Sequence, residues 1–290
     1  MIDELKSICS LEENAKIKNT FKLDSVCFAM IKPNNEEELI KCINVLKNNN
    51  YKYMVLGNAS NVILPAYYDG VVISLSKFNK YEIHDDTVYV ESGCMLNKVS
   101  NDLVNLGYKG LDFACGVPGT IGGSIYGNAG CYGSSISEVL ISAHVFDGEK
   151  VLELSNKDLK FDYRYSMLKD NKNYIVLSAI FKIEKTDIDE LKALVKERNE
   201  KRIASQDLSH PSNGSVFRNP EGYAAGKLID DLGLKGFKVG DAMVSFKHAN
   251  FIINDGNATS EDIIELINII KEKIKKEYNI ELVLEQEIIK

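Results

Sequence analysis

Residues 110–133 read GLDFACGVPGTIGGSIYGNAGCYG, and this stretch constrains the fold more than any other. At its centre, from Ala114 to Ser124, four glycines (Gly116, Gly119, Gly122 and Gly123), Pro118 and Thr120 fall within eleven residues. Asn128, Ala129 and Gly130 continue the pattern. A segment so poor in side chains loses much conformational entropy when it becomes ordered. Glycine also lets a backbone approach a ligand closely, and proline stiffens a turn. An open linker and a packed cradle are both compatible with the composition. The interleaved Val117, Ile121 and Ile125 favour a cradle, with a large ligand offsetting the ordering cost.

The rest of the chain supports a sizeable scaffold around that loop. Its 290 residues, 44% hydrophobic, are enough for two or three subdomains. The net charge of −7 argues against a nucleic-acid partner, which needs a basic face. It leaves room for a phosphate ligand, because a few local donors are enough. Cys9, Cys27, Cys42, Cys94, Cys115 and Cys131 form no C-x-x-C pair and do not cluster with histidine, so no metal site is expected. Scattered cysteines suit a reducing cytoplasm. The opening MIDELKSICSLEENAK lacks the apolar stretch of a signal peptide, and no apolar run approaches the roughly 20 residues of a membrane helix.

Periodicity outlines the elements. Residues 26–31 read as a strand and 36–48 as a helix, with Asn35 as N-cap and Glu38 three residues on. Residues 53–56 read as a buried strand running into Gly57. Residues 87–91 alternate as a strand, and 95–106 form an amphipathic helix closed by Gly107. Residues 139–146 and 151–154 flank Asp147-Gly148 as a hairpin. A long strand covers 174–183, with Leu177, Ala179, Phe181 and Ile183 on one face. A charged helix over 188–203 carries a stripe of Leu191, Leu194, Val195 and Arg198, the last snorkelling. A short helix spans 224–232, a final one spans 261–278 behind a Thr259–Asp262 capping box, and residues 281–289 close the chain as a strand.

Four further stretches bear chemistry. In Gly57-Asn58-Ala59-Ser60-Asn61, a strand enters a turn whose amides and side chains can converge on an anion. It lacks the G-x-G-x-x-G pattern, and these residues alone favour a plain tight turn, since turn glycines are common. Tyr163-Arg164-Tyr165 sets a guanidinium between aromatics. That is a suitable fork for a carboxylate, though the residues alone favour a surface cation–π pair. Ser215 in Gly-Ser-Val offers an exposed hydroxyl acid or a cap. Glu285 interrupts an apolar run, where a carboxylate is usually solvent-facing and less often a functional group.

Taken together, the blocks GNASNVIL, GLDFACGVPGTIGGSIYGNAGCYG, FDYRYSMLK, PSNGSVFRNP, AAGKLIDDLGLKG, VSFKHANFIIN and IELVLE resemble the UDP-N-acetylenolpyruvoylglucosamine reductase family over nearly the whole chain. The resemblance implies an α+β fold. An FAD-binding domain of the vanillyl-alcohol oxidase/PCMH type would form two α+β subdomains, residues 1–76 and 77–186. A C-terminal α+β substrate-binding domain would take 187–290. The short stretch between Arg164 and Ser215 matches the shorter of the family's two structural types. By the same likeness Gly57, Asn58, Ala59, Ser60 and Asn61, with Gly116, Val117, Pro118, Gly119, Thr120, Gly122 and Gly123, hold a non-covalent FAD, and Asn128 and Ala129 lie near its ring. NADPH is the hydride donor. Arg164, Ser215 and Glu285 carry over as catalytic, and Tyr163, Arg218, Asn219 and Lys227 as substrate-binding. A cytoplasmic monomer without membrane or nucleic-acid partner is expected.

The chemistry makes sense of the trio. Hydride addition to an enolpyruvyl ether develops negative charge beside its carboxylate. Arg164 can stabilise that charge, Ser215 can protonate the carbon and Glu285, in its protonated form, can hydrogen-bond the carboxylate. Some positions depart from the family pattern. FKLDSVCFAMIKP lacks a paired glycine, and Gly127 replaces a bulkier residue. Arg218 stands where lysine is frequent, and Gln286-Glu287 replaces a hydrophobic residue followed by arginine. Two rival readings are another flavoprotein oxidising an alcohol or sugar, and a non-catalytic nucleotide-sugar binder. Against the first, no histidine lies near the FAD loops for a covalent flavin link, and the C-terminal blocks match the reductase. A binding module would have no need of the trio.

Overall fold

The computed structural model describes residues 1–290. The chain separates into two compact units. Unit one comprises Met1–Asn14, Phe28–Asn58 and Gly70–Asn199, and unit two comprises Ala15–Cys27, Ala59–Asp69 and Glu200–Lys290. No helix is long and apolar enough to cross a membrane, and no cluster of three metal-ligating residues exists.

Unit one begins with helix α1 (Ile2–Ile8), which packs on helix α2 (Glu36–Asn48). The Asn35 side chain caps α2 by accepting from Glu38 N at 3.0 Å. Glu38 reaches back one residue further than a standard capping box and accepts from Asn34 N at 2.8 Å. Leu39, Ile43 and Leu46 are fully buried against Ile31, Ile73 and Phe146. A four-stranded sheet has the order Ser10–Lys16, Val26–Lys32, Tyr67–Ile73, Tyr53–Val55. Tyr53–Val55, expected to be buried, is instead only half-covered. It is an edge strand with one ladder partner, parallel to Val71–Ile73, so one flank stays open.

The second sheet of unit one is antiparallel, in the order Val151–Ser155, Leu140–Phe146, Ile175–Lys182, Thr87–Glu91, Tyr81–His84. Asp147 closes its hairpin by accepting from Glu149 N and Lys150 N at 2.8 and 2.9 Å. Ala179, Phe181 and Ile183 share a core with Val88 and Val90, whereas Leu177 enters the other core of the unit with Ile175. The register shows why the expected common face breaks. Ser178 pairs with His144 but Val176 pairs with Val145, so an extra residue, a β-bulge, turns Leu177 over. Helix α3 (Leu96–Asn105) covers this sheet through Leu96, Val99 and Leu103, and Gly107 follows it at φ +76°. Two short helices, α4 (Ile121–Tyr126) and α5 (Ile136–Val139), join the same core.

Helix α6 (Ile188–Ser205) is seated by Leu191 and Val195 against Val104 and Cys115. Leu194, assigned to the same stripe, is 39% exposed. The seam is one residue wide at each turn, so only the i, i+4 pair reaches it. Arg198 is held by Asp112 at 2.6 Å.

Unit two packs helix α7 (Ala225–Asp231) and helix α8 (Ser260–Tyr278) on an antiparallel sheet ordered Ser212–Ser215, Phe251–Asn254, Ala242–Val244, Lys238–Val239. Ile263, Ile267, Ile270 and Ile274 form the buried stripe of α8, and the Thr259–Asp262 capping box is present. The final strand is shorter than expected. Only Glu287–Ile288 forms a ladder, parallel to Val62–Ile63, while Leu284 makes an isolated bridge to Phe217. The segment exchanges one partner for another at Glu285, so no single ladder runs its length.

Candidate active site

In unit one the two glycine-bearing stretches meet. A Cβ on Gly57 would lie 2.5 Å from Thr120 Oγ1, so only glycine fits there without displacement. Asn58 Nδ2 donates to the Pro118 carbonyl at 2.7 Å. Thr120 caps α4 by accepting from Gly123 N at 3.3 Å. Ile121 N donates to Cys94 O and Gly122 N to Ser92 O, both at 2.9 Å. Those bonds strap the loop to the sheet, and Ile121 and Ile125 anchor it at 0% exposure. The cradle is therefore packed, as the interleaved apolar residues suggested, and Val117 packs at the edge of the same core. Burial pushes the Cys115 thiol up to about 11, with Asp112 adding to the effect. A thiol so held stays protonated and is no nucleophile at neutral pH.

Asn128 and Ala129 follow α4. Asn128 is 5% exposed; its Nδ2 donates to Asp162 O at 2.9 Å and its Oδ1 accepts from Ser137 N at 3.0 Å. Ala129 N donates to Ser124 O at 2.8 Å. Asn128 thereby holds the turn that carries Arg164. That turn is closed by reciprocal bonds between Asp162 and Tyr165, each 3.1 Å, and places Arg164 at φ +57°. A side chain at positive φ is a strained arrangement that recurs at functional sites. The Arg164 guanidinium donates to Gly130 O at 2.8 Å and lies 5.2 Å from the Tyr163 ring. The cation–π pair read from the residues is present, and the carbonyl contact accompanies it.

In unit two, Ser215 and Glu285 lie on neighbouring backbone segments. Glu285 N donates to Val216 O at 2.9 Å, and Asn61 Nδ2 donates to Glu285 O at 3.0 Å. Glu287 N donates to Asn61 O at 3.0 Å, so Asn61 grips the backbone on either side of Gln286. Ala59 is buried at φ +47° and leads to Ser60. Arg218 N donates to Val283 O at 2.9 Å, and Asn219 Oδ1 accepts from Ala225 N at 3.0 Å at the start of α7. Lys227 is exposed and paired with both oxygens of Asp231 at 2.9 Å. That hydrogen bond raises its pKa and keeps it charged.

Three supporting residues escaped the motif reading. Asn250 accepts from Phe217 N at 3.0 Å and donates to Phe217 O at 2.8 Å, standing in for a strand partner beside Ser215. Gln286, 2% exposed, donates to Gly214 O and Ser215 O at 3.3 Å, while its Oε1 is buried without a partner. His248 accepts from Asn250 N at 3.2 Å, and burial holds its pKa below the ordinary value, so the ring is neutral at pH 7. Buried amides inside polar-looking blocks are the one signal that marks the first two.

The expected site residues thus divide by unit. Gly57, Asn58, the loop from Gly116 to Gly123, Asn128, Ala129, Tyr163 and Arg164 belong to unit one. Ala59, Ser60, Asn61, Ser215, Arg218, Asn219, Lys227 and Glu285 belong to unit two.

Comparison with known proteins gives this arrangement a family. Residues 206–289 match the model of the UDP-N-acetylenolpyruvoylglucosamine reductase C-terminal domain, and residues 28–153 match an FAD binding domain. The UDP-N-acetylenolpyruvoylglucosamine reductase of Clostridium novyi is 41% identical, over 99% of this chain and 95% of its own length. This chain belongs to the UDP-N-acetylenolpyruvoylglucosamine reductase family. The family member of Caldanaerobacter subterraneus is 38% identical over the full length of this chain and 98% of its own. The crystal structure of the Thermus caldophilus reductase superposes with a TM-score of 0.81 at 29% identity, covering 97% of this chain and 98% of that one. BBE-like 1 from Physcomitrella patens shares the fold alone, at 16% identity and TM-score 0.50 over 62% of this chain and 44% of its own. The architecture is that of the FAD-binding flavoproteins with the reductase family's own C-terminal domain added. Arg164 lies between the two matched regions, and Ser215 and Glu285 lie inside the second.

The residues present fit FAD. Gly57 and Gly122 let the loop pack directly against Thr120 and Ser92, where a Cβ would intrude, and so fix its backbone in one conformation. The buried hydroxyls of Ser92 and Ser124, flanking that loop, have no protein partner.

Proposed function

We propose that the chain catalyses the NADPH-dependent reduction, through bound FAD, of UDP-N-acetyl-3-O-(1-carboxyvinyl)-glucosamine to UDP-N-acetylmuramate, a step of peptidoglycan precursor synthesis. Bound FAD would supply hydride chemistry here, with NADPH as the source of the hydride and the terminal methylene carbon of the enolpyruvyl ether as its destination. The residues of Gly57 to Asn61 and Gly116 to Gly123 hold the cofactor, with Asn128 and Ala129 near its ring. Arg164 stabilises the charge that develops beside the substrate carboxylate; a preorganised group of this kind supplies several kcal/mol. Ser215 delivers the proton to the carbon next to the carboxylate. Glu285, in its protonated form, donates a hydrogen bond to the carboxylate as charge spreads into it. Tyr163, Arg218, Asn219 and Lys227 bind the rest of the substrate, the three polar residues donating to its diphosphate. The chain acts in the cytoplasm as a monomer, which sedimentation equilibrium checks.

The observation that supports this reading is that the backbones carrying Ser215 and Glu285 run side by side: Glu285 N donates to the carbonyl of Val216, the residue after Ser215, at 2.9 Å. The test is an anaerobic visible spectrum before and after NADPH, then after the enolpyruvyl UDP-sugar. A flavin band that bleaches with NADPH and returns with that substrate is the expected result. Bleaching without return would sink the substrate assignment, and failure to bind FAD would sink the cofactor assignment.

A further inference from the structure

Arg164 is held within a wider tether. Its guanidinium meets the carbonyl of Gly130, the first residue of a hairpin made of Gly130–Cys131 and Ser134–Ser135. A Cβ on Gly130 would lie 3.0 Å from Arg164 Nη1 and 2.7 Å from Ser134 O, so the guanidinium and this hairpin are in close contact. Two strands of two residues have little rigidity of their own. The stem of this hairpin is held through Asn128, but its tip needs a separate support.

We infer that Arg198 is a positioning residue for the reaction, acting by clamping the tip of this hairpin through Tyr132 and so fixing the carbonyl that orients Arg164. Tyr132 stands at the tip at φ +56°, and its hydroxyl donates to the backbone carbonyl of Arg198 at 2.8 Å, a bond that any residue at 198 keeps, so what the Arg198 side chain itself adds is its guanidinium. The Arg198 guanidinium lies over the Tyr132 ring, 5.3 Å from its centroid. Arg198 Nη1 also binds Asp112 Oδ2 at 2.6 Å, with both side chains mostly buried at 20% and 15% exposure. Asp112 Oδ1 in turn accepts from Gly110 N at 2.9 Å, which roots the clamp at the start of the glycine-rich segment. Helix α6 supplies a firm base, since Leu191 and Val195 are packed against Cys115 and Val104. A planar guanidinium can stack on the ring and pair with the carboxylate at once, whereas a lysine ammonium offers the charge without the plane.

The inference rests on the catalytic role proposed for Arg164, and the experiment separates the two. Arg198→Ala, Arg198→Lys and Arg164→Lys are made singly, and Arg198→Ala is combined with Arg164→Lys. Stopped-flow measurements follow flavin reduction by NADPH and flavin reoxidation by the enolpyruvyl UDP-sugar as separate phases. Displacement of a positioned group costs rate even when the mutation is remote, so Arg198→Ala should slow reoxidation roughly tenfold and leave reduction unchanged. Arg198→Lys should recover part of the loss. On the Arg164→Lys background the Arg198→Ala effect should shrink to about twofold or less, because the two residues act through one another. Hydrogen exchange on the FAD-loaded protein, without substrate, should show residues 130–135 losing protection in Arg198→Ala, a readout independent of turnover. Equal slowing of both phases, or effects that add on the Arg164→Lys background, would overturn the clamp. If Arg164→Lys itself reoxidises at the wild-type rate, the reading of Arg164 fails instead, and the catalytic part of the clamp fails with it.

Discussion

Two single residues show how tightly the site is built. Gly57 faces Thr120 Oγ1, which also caps α4, so a methyl group there must push on the cap. Gly57→Ala is expected to cost about 1–3 kcal/mol by chemical unfolding, the usual range for overpacking, and to weaken FAD binding measured by flavin fluorescence. An unchanged FAD affinity would remove Gly57 from the cradle. Asn250 is a different case. It satisfies both backbone groups of buried Phe217, so Asn250→Ala orphans a donor and an acceptor together. Each orphan costs about 1–3 kcal/mol, and unfolding in urea should register several kcal/mol in total. Neither role is visible in the chain as a string, because glycine and asparagine are common turn residues. The reason for each lies in an atom brought from a distant segment, Thr120 in one case and Phe217 in the other.

At the scale of elements, the clearest pH-sensitive feature is the turn before the Ser212–Ser215 strand. Burial alone would raise the pKa of Asp207, but hydrogen bonds from His210, Ser245 and Ser209 outweigh it and hold the carboxyl down to about 2. A carboxylate whose folded value lies below its unfolded one stabilises the fold above the unfolded pKa, and that stability disappears as pH falls through the folded pKa. Roughly 2 kcal/mol is therefore present at neutral pH and lost between about pH 4 and pH 2. Asp207→Asn should remove that increment, so the wild-type and variant unfolding free energies should differ at pH 7 and converge near pH 2. A gap that persists unchanged at low pH would refute the assignment. Helix α8 offers a simpler check: Thr259→Ala breaks the capping box and should cost about 1 kcal/mol, read as a lower unfolding midpoint. That cap, the Asn35 cap and the Asp147 hairpin are legible in the sequence, since each depends on residues a few positions apart. The helix α4 is not legible. Gly122 and Gly123 disfavour a helix by roughly 1 kcal/mol each, and packing of Ile121 and Ile125 overrides them.

At the scale of the molecule, the chain visits each unit more than once, and the expected site residues are shared between the two. A ligand that binds only the folded protein stabilises it by mass action. FAD at about a hundred times its dissociation constant should add roughly 2.7 kcal/mol. Calorimetry of the FAD-free and FAD-loaded protein checks this, and an unchanged midpoint at saturating FAD would count against a folded-state cradle. The sequence by itself determined the family, the chemistry-bearing blocks, the longer helices, the Asn35 and Thr259 caps and the packed character of the glycine-rich loop. These follow from local periodicity, cap chemistry and motif order. Tertiary structure alone decided that Leu177 turns over at a bulge, that the chain end changes partners at Glu285, and that Gln286 and Asn250 brace Ser215. It also decided which carbonyl Arg164 addresses. Each of these depends on register or contact between segments far apart in the chain, and side-chain spacing along one segment carries no information about which backbone atoms a distant segment will present.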